Sequence, residues 1–246
     1  AVGFIDDSVV MRRLQAAPAR SVTFGAAGAD YCVADGHLVG PAGVIADISA
    51  MKRSLPHDLT NALAASALVL ETGLGDVQAI SSALGSFTGP AHRLEHLGTW
   101  NGVAWYNDSK ATTPHAAAAA VRSFDRLVLI AGGYDKGVDL TSMAADVGGV
   151  DAVIALGDTA QSIAAAFAAV PVVEVVSDLA EAVERADRLA APGATVLLSP
   201  GCASFDQYSG FEARGDHFRS LVLDLFGEST ASTTASTSGS NREGST

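Results

Sequence analysis

The chain has 246 residues, 48% of them hydrophobic and 17% charged, with a formal net charge of −12. That balance fits a soluble globular protein with a substantial core. It excludes nucleic acid or an anionic membrane as the main partner, because both ask for a basic face, though a few placed cations and helix N-termini can still bind phosphates locally. The two cysteines, Cys32 and Cys202, give neither zinc spacing nor a disulfide framework and suit a reducing, cytoplasmic setting. No apolar run approaches the roughly 20 residues of a membrane helix. The N-terminus, AVGFIDD, has no basic region, no signal-peptide shape and no starting methionine, and reads as a cut edge.

Residues 21 to 50 read as short strands. SVTFGA precedes YCVADGHLVG, where Asp35-Gly36 between apolar flanks signals a hairpin. HDLTNALAASALVLETG reads as a helix, with Leu59, Leu63, Ser66 and Leu70 on one face and Gly73 as its stop. DVQAISSALGSF is a second, shorter helix. Pro90, in FTGPAHR, suggests a boundary between two domains. LEHLGTWNGVAWYNDS then reads as a hairpin turned at Asn101-Gly102. From there the apolar runs RLVLIAGG, DAVIALG, VVEVVS and ATVLLSPG alternate with helical stretches of about 10–14 residues, the pattern of an α/β fold with a parallel sheet. In such sheets the ligand crevice lies beyond the carboxyl ends of the strands. Three strands here end in polar or glycine-rich turns: WYNDSKAT, IAGGYDKG and LLSPGCASFDQ. The last stretch, residues 228 to 246, is Ser/Thr-rich and too poor in apolar surface to offset its ordering entropy, so it reads as disordered.

Only three lysines exist, Lys52, Lys110 and Lys136, and two of them stand at these strand ends. A lysine at a sheet's carboxyl edge suits a carboxylate or phosphate ligand, against the simpler reading of a solvated surface lysine. Asp108 could accept from a ribose hydroxyl or hold a metal; its plainer role is to cap the following helix, with Ser109, Thr112 or Thr113 as rivals. Ser204 reads as an N-cap of the last helix or as a ligand group. Arg93 could meet a phosphate or lie exposed on a strand. Asn61 sits inside a helix, where asparagine is mildly unfavourable; it reads either as a solvent-facing amide or as one that meets an adenine edge. Phe211 reads as core. No G-x-x-x-x-G-K-[ST] sequence occurs, so nothing here cradles nucleotide phosphates in the P-loop manner.

Five motifs taken together resemble the Mur ligases, and within them the branch that adds D-glutamate. They are HDLTNALAA (57 to 65), GPAHRLE (89 to 95), YNDSKAT (106 to 112), GGYDKG (132 to 137) and LLSPGCASFDQYSGFEARGDHF (197 to 218). The resemblance covers about residues 1 to 227. It implies that residues 1–90 are the C-terminal part of a P-loop-type central ATPase domain and 91–227 a Rossmann-like C-terminal domain. It implies ATP-dependent ligation of D-glutamate to UDP-N-acetylmuramoyl-L-alanine through an acyl phosphate, in a cytoplasmic monomer that serves peptidoglycan synthesis. ATP and Mg2+ are the implied cofactors, both held mostly by residues upstream of Ala1, where the P-loop would lie. Carried over residue by residue, Asn61 would contact adenine, Arg93 the phosphates and Asp108 the ribose, with Lys110 in the same strand-end site. Thr112, Lys136, Ser204 and the backbone near Phe211 would hold D-glutamate. Without the P-loop the chain is expected to be inactive alone.

The sequence departs from the family pattern at Asp58, where asparagine is usual, at Thr113, where asparagine is common, and at Tyr134, where a small or acidic residue is frequent. Three rival readings stand beside this one: a sister ligase such as a folylpolyglutamate synthase, a non-catalytic Rossmann-like binding module, and a dinucleotide oxidoreductase. The last needs a G-x-G-x-x-G turn after the first strand of its sheet, which is missing.

Overall fold

The computed structural model describes residues 1–227. The tail expected to be disordered lies outside the described residues. The chain divides into two compact units, one of Ala1–Pro90 and one from Ala91 on.

The first unit is a five-stranded sheet in the order of the chain. Its strands are β1 (Val2–Phe4), β2 (Val22–Gly25), β3 (Tyr31–Ala34), β4 (His37–Gly40) and β5 (Gly43–Asp47). The first three are parallel and the last two pair antiparallel. The hairpin at Asp35-Gly36 forms as the sequence predicts, both residues taking positive φ, 48° and 75°. Helix α1 (Ser8–Gln15), which follows β1 and is capped by Asp7, goes beyond the sequence reading. Helix α2 (Pro56–Thr72) buries Ala62, Leu63, Ser66 and Ala67 against the sheet. It stops where expected, at Gly73, whose backbone is left-handed at φ 69°. A side chain there is strained although nothing lies within 4 Å of its Cβ position, so Gly73→Ala is expected to cost about 1 kcal/mol, read as a lower melting temperature by circular dichroism. Helix α3 (Val77–Ser86) follows, with the Asp76 side chain accepting from the Ala79 N–H.

The second unit carries a six-stranded sheet of β6 (Glu95–Trp100), β7 (Val103–Asn107), β8 (Leu127–Gly132), β9 (Val150–Leu156), β10 (Val172–Val175) and β11 (Thr195–Leu198), in the order β10-β9-β8-β11-β7-β6. All pairs are parallel except the β6–β7 hairpin, turned at Asn101-Gly102 as the sequence predicts. Helices α4 (Pro114–Val121), α5 (Ala160–Ala166), α6 (Leu179–Leu189) and α7 (Phe211–Phe226) complete it. Val128 and Ile130 pack with Trp105, Leu179, Phe218 and Val222 on one face. Their neighbours Leu127 and Leu129 are equally buried on the other. A strand covered on both faces has no polar side to show, which is why RLVLIAGG reads as an unbroken apolar run. α6, with 11 residues, has the length the spacing suggests, but others are shorter. α4 has 8 residues and α5 has 7, and the stretch between β8 and β9 forms only a 3-10 turn, Thr141–Ala144.

The sheet order is what positions the site. β11, last in sequence, inserts between β7 and β8. The three strands that end in the polar turns are therefore neighbours, and their carboxyl ends open side by side at the point where strand order reverses.

Candidate functional site

The turn after β7 is bound inward rather than presented to solvent. Asp108 is 6% exposed. Its Oδ1 accepts the Leu94 N–H at 3.2 Å and its Oδ2 the Ser199 hydroxyl at 2.8 Å. It does not cap α4; Thr113 does, accepting the Ala116 N–H. Ser109 is fully buried, donating its hydroxyl to the Phe211 carbonyl at 2.8 Å. The Asn107 Oδ1 takes the Ser109 N–H, which fixes the amide's orientation. Asn107 Nδ2 then donates to the Gly215 carbonyl and faces His92 Nδ1 at 3.1 Å. His92 Nδ1 is therefore an acceptor, and the ring proton sits on Nε2, 3.6 Å from an Asp216 oxygen. Lys110, by contrast, is exposed, its Nζ 5.3 Å above the Phe211 ring.

Arg214 binds the turns after β7 and β11 into one body. It is 3% exposed, and its Nε donates to Ser109 Oγ, its Nη2 to the Ser109 and Cys202 carbonyls, and its Nη1 to the Ala203 carbonyl, all at 2.9–3.2 Å. Burial pulls its pKa down to about 10, still far above neutrality, so the guanidinium stays charged. The Lys136 turn is fastened at the same place. The Tyr134 N–H donates to the Ala203 carbonyl at 2.9 Å, and Gly133 exchanges hydrogen bonds with Thr159. Gly133 has φ 144°, and a Cβ there would meet the Ala203 carbonyl and Arg214, so only glycine lets the two loops close. Burial pushes the Cys202 thiol up and leaves it unreactive.

Two non-glycine residues in a row of three take the left-handed backbone: His92 at φ 60° and Leu94 at φ 41°. For leucine this is an outlier that the surroundings must enforce. Between them stands Arg93, with its side chain exposed.

Of the residues singled out in the sequence, Asp108, Lys110, Thr112 and Phe211 are joined at the end of β7, and Arg93 stands between His92 and Leu94, which bond to that turn. Ser204 stands on the loop that Arg214 ties to it, and Lys136 on the loop that Tyr134 fastens to that one. Lys136 is exposed. Ser204 is 2% exposed and does not cap α7; its carbonyl accepts from Gln207 and Tyr208 while Gly210 holds the cap position. Phe211 is half-buried at the start of α7, not in the core. Asn61 lies in the first unit, on the exposed face of α2. Asp58, in the same helix, is pushed up by burial, but the neighbouring His57 and Arg53 outweigh this and hold its carboxyl below the usual range. Arg53 Nε donates to Asp58 Oδ1 at 2.9 Å, while Oδ2 is buried without a partner. Sequence reasoning missed His92, Asn107, Ser199 and Arg214. All four are polar and buried, and only a sheet order with β11 beside β7 shows that they meet.

Residues 92–202 match the family described as Mur ligase, glutamate ligase domain. The chain is similar to the Mur ligases. It is 44% identical over 179 residues to the UDP-N-acetylmuramoylalanine–D-glutamate ligase of Chlorobium phaeobacteroides, covering 71% of this chain and 38% of that protein. The enzyme of the same name from Frankia casuarinae is 40% identical over 235 residues, 90% of this chain and 50% of its own length. The chain thus spans half or less of the length of these curated relatives. Among solved structures, UDP-N-acetylmuramate-alanine ligase from Thermotoga maritima superposes with a TM-score of 0.61 at 17% identity, over 91% of this chain and 51% of that one. MurF from Acinetobacter baumannii gives 0.58 at 19%, over 92% and 51%. FolC of E. coli, solved with DHPP and ADP, gives 0.54 at 19%, over 92% and 53%. At these identities the structures establish the Mur ligase fold and do not choose among its chemistries.

Proposed function

We propose that the chain is part of an ATP-dependent ligase that joins D-glutamate to UDP-N-acetylmuramoyl-L-alanine through an acyl phosphate, in the cytoplasmic synthesis of peptidoglycan precursors. Residues 1–90 would be the C-terminal part of the central ATPase domain and residues 91–227 the C-terminal domain. The relatives at 40–44% identity all carry this activity in their names, which favours it over a folylpolyglutamate synthase. The observation that supports a binding site is that Arg214 ties the Lys110 loop to the Ser204 loop, to which the Tyr134 N–H fastens the Lys136 loop.

The cations fit a polyphosphate. Arg93 is exposed on a backbone that carboxylates hold in place, and Lys110 stands exposed nearby on the Asp108 turn. Asp108 would accept from a ribose hydroxyl. Bound ATP supplies the phosphoryl group that activates a carboxylate. For Mg2+ the fit fails in this chain, since among the described residues no group of three or more histidines, cysteines, aspartates or glutamates could hold a metal ion; its ligands would belong to the rest of the parent protein. Lys136 would pair with a carboxylate of D-glutamate as a point charge, with Thr112, Ser204 and the backbone at Phe211 fixing its orientation. The chain alone would bind amino acid but not turn it over, acting as a monomer on small molecules.

Calorimetric titration with D-glutamate tests this. Stereoselective heat, absent with L-glutamate and lost in Lys136→Ala, is the expected result. Equal heats for both enantiomers, or heat that survives the mutation, would remove Lys136 from the site.

A further inference from the structure

The left-handed pair at His92 and Leu94 needs an agent that holds it, and the hydrogen bonds identify one beyond the Asp108 turn. The His92 N–H is accepted by Glu95 Oε2 at 2.9 Å. Arg219, more than two helix turns into α7, donates through Nη2 to both Glu95 oxygens at 2.7 Å and through Nη1 to Asp216 Oδ1 at 2.7 Å. Asp216 in turn faces the His92 Nε2–H. A carboxylate fixed on both oxygens by one guanidinium has little freedom left, and the amide it accepts belongs to the residue preceding Arg93. Glu95 and Arg219 are half-buried, with side chains 25% and 29% exposed, so the pair is screened less than a surface ion pair.

We propose that Arg219, acting through Glu95, is a positioning residue that holds the His92–Leu94 backbone so that Arg93 projects toward a bound nucleotide's phosphates. The inference rests on the reading of Arg93 as a phosphate contact, and the test separates the two. A plain staple between α7 and β6 would affect stability alone. A positioning residue acts through Arg93, so its effect disappears when Arg93 is already gone.

The experiment is a double-mutant cycle, with amide hydrogen exchange read on the whole chain and calorimetric ATP affinity read on the full-length ligase that contains it. Arg219→Ala is expected to raise the exchange rate of the His92 amide at least tenfold, with Arg219→Lys intermediate. Arg188→Ala, which breaks the exposed Arg188–Glu184 pair, serves as the control and is expected to leave that amide alone. ATP affinity is expected to fall 5- to 10-fold in Arg219→Ala, and no further when Arg219→Ala is added to Arg93→Ala. Unchanged His92 exchange overturns the clamp whether or not the chain binds nucleotide. So does a loss of affinity that adds in full to that of Arg93→Ala. If Arg93→Ala binds ATP as the unmodified ligase does, the phosphate reading fails, and the clamp's purpose with it, even where exchange responds.

Discussion

Arg214→Ala is expected to destabilise the second unit by about 3 kcal/mol, the largest effect of any single side chain at the site. The substitution removes four donated hydrogen bonds from a place that water does not reach. The Ala203 carbonyl keeps the Tyr134 N–H, and the Ser109 hydroxyl keeps the Phe211 carbonyl. The Ser109 and Cys202 carbonyls are the groups left wanting. Each such loss costs about 1–3 kcal/mol, and the void adds to it. Burying the guanidinium carries a desolvation cost, evident in its depressed pKa, which offsets part of the gain and keeps the figure from being larger. The measurement is urea denaturation followed by tryptophan fluorescence. Both tryptophans, Trp100 and Trp105, lie in the second unit, so the signal reports that unit alone. A lower midpoint at constant slope is the expected result. A loss under 1 kcal/mol would mean that water takes over the freed carbonyls and that the two loops hold without the arginine. Arg214→Lys is expected to recover little, since an ammonium cannot reproduce the planar fork.

That arginine also marks where sequence stops informing structure. Local signals carried the elements they encode. Asp35-Gly36 and Asn101-Gly102 turn their hairpins because the positive φ they need is cheap for those residues. Gly73 ends α2 for the same reason. The apolar runs of β8 and β9 are readable because burial on both faces leaves no alternation. What failed depends on partners far along the chain. Ser204 looks like a cap because it follows a strand, yet α7 begins only at Phe211. α4 and α5 are shorter than the strand spacing suggests, because periodicity alone cannot report a helix's length. Arg214 reads like any solvated helix arginine, because its acceptors are main-chain carbonyls that bear no signature in sequence. The left-handed backbone at His92 and Leu94 is equally invisible. It is enforced by Glu95 and Asp108, and nothing in AHRL itself asks for it.

Asp108→Ala is expected to cost about 2–3 kcal/mol and to weaken ATP binding by the full-length ligase at least tenfold, while Asp108→Asn separates the two effects. Alanine strands the buried Leu94 N–H and the Ser199 hydroxyl together, at about 1–3 kcal/mol for a buried donor left unsatisfied. It also frees Leu94 from a backbone conformation that leucine avoids, and with it the segment carrying Arg93. Asparagine keeps an oxygen for the Leu94 N–H and turns an NH2 toward Ser199, whose hydroxyl can rotate to accept. Stability measured by urea midpoint is therefore expected to return to within about 1 kcal/mol of the unmodified chain. The charge does not return. If the carboxylate itself accepts from a ribose hydroxyl, the charged hydrogen bond it loses is worth about 1.5–3 kcal/mol, and calorimetric ATP affinity stays about tenfold weak in a well-folded protein. Affinity that recovers along with stability would take the ribose from Asp108 and leave the carboxylate one purpose, the support of the Arg93 backbone.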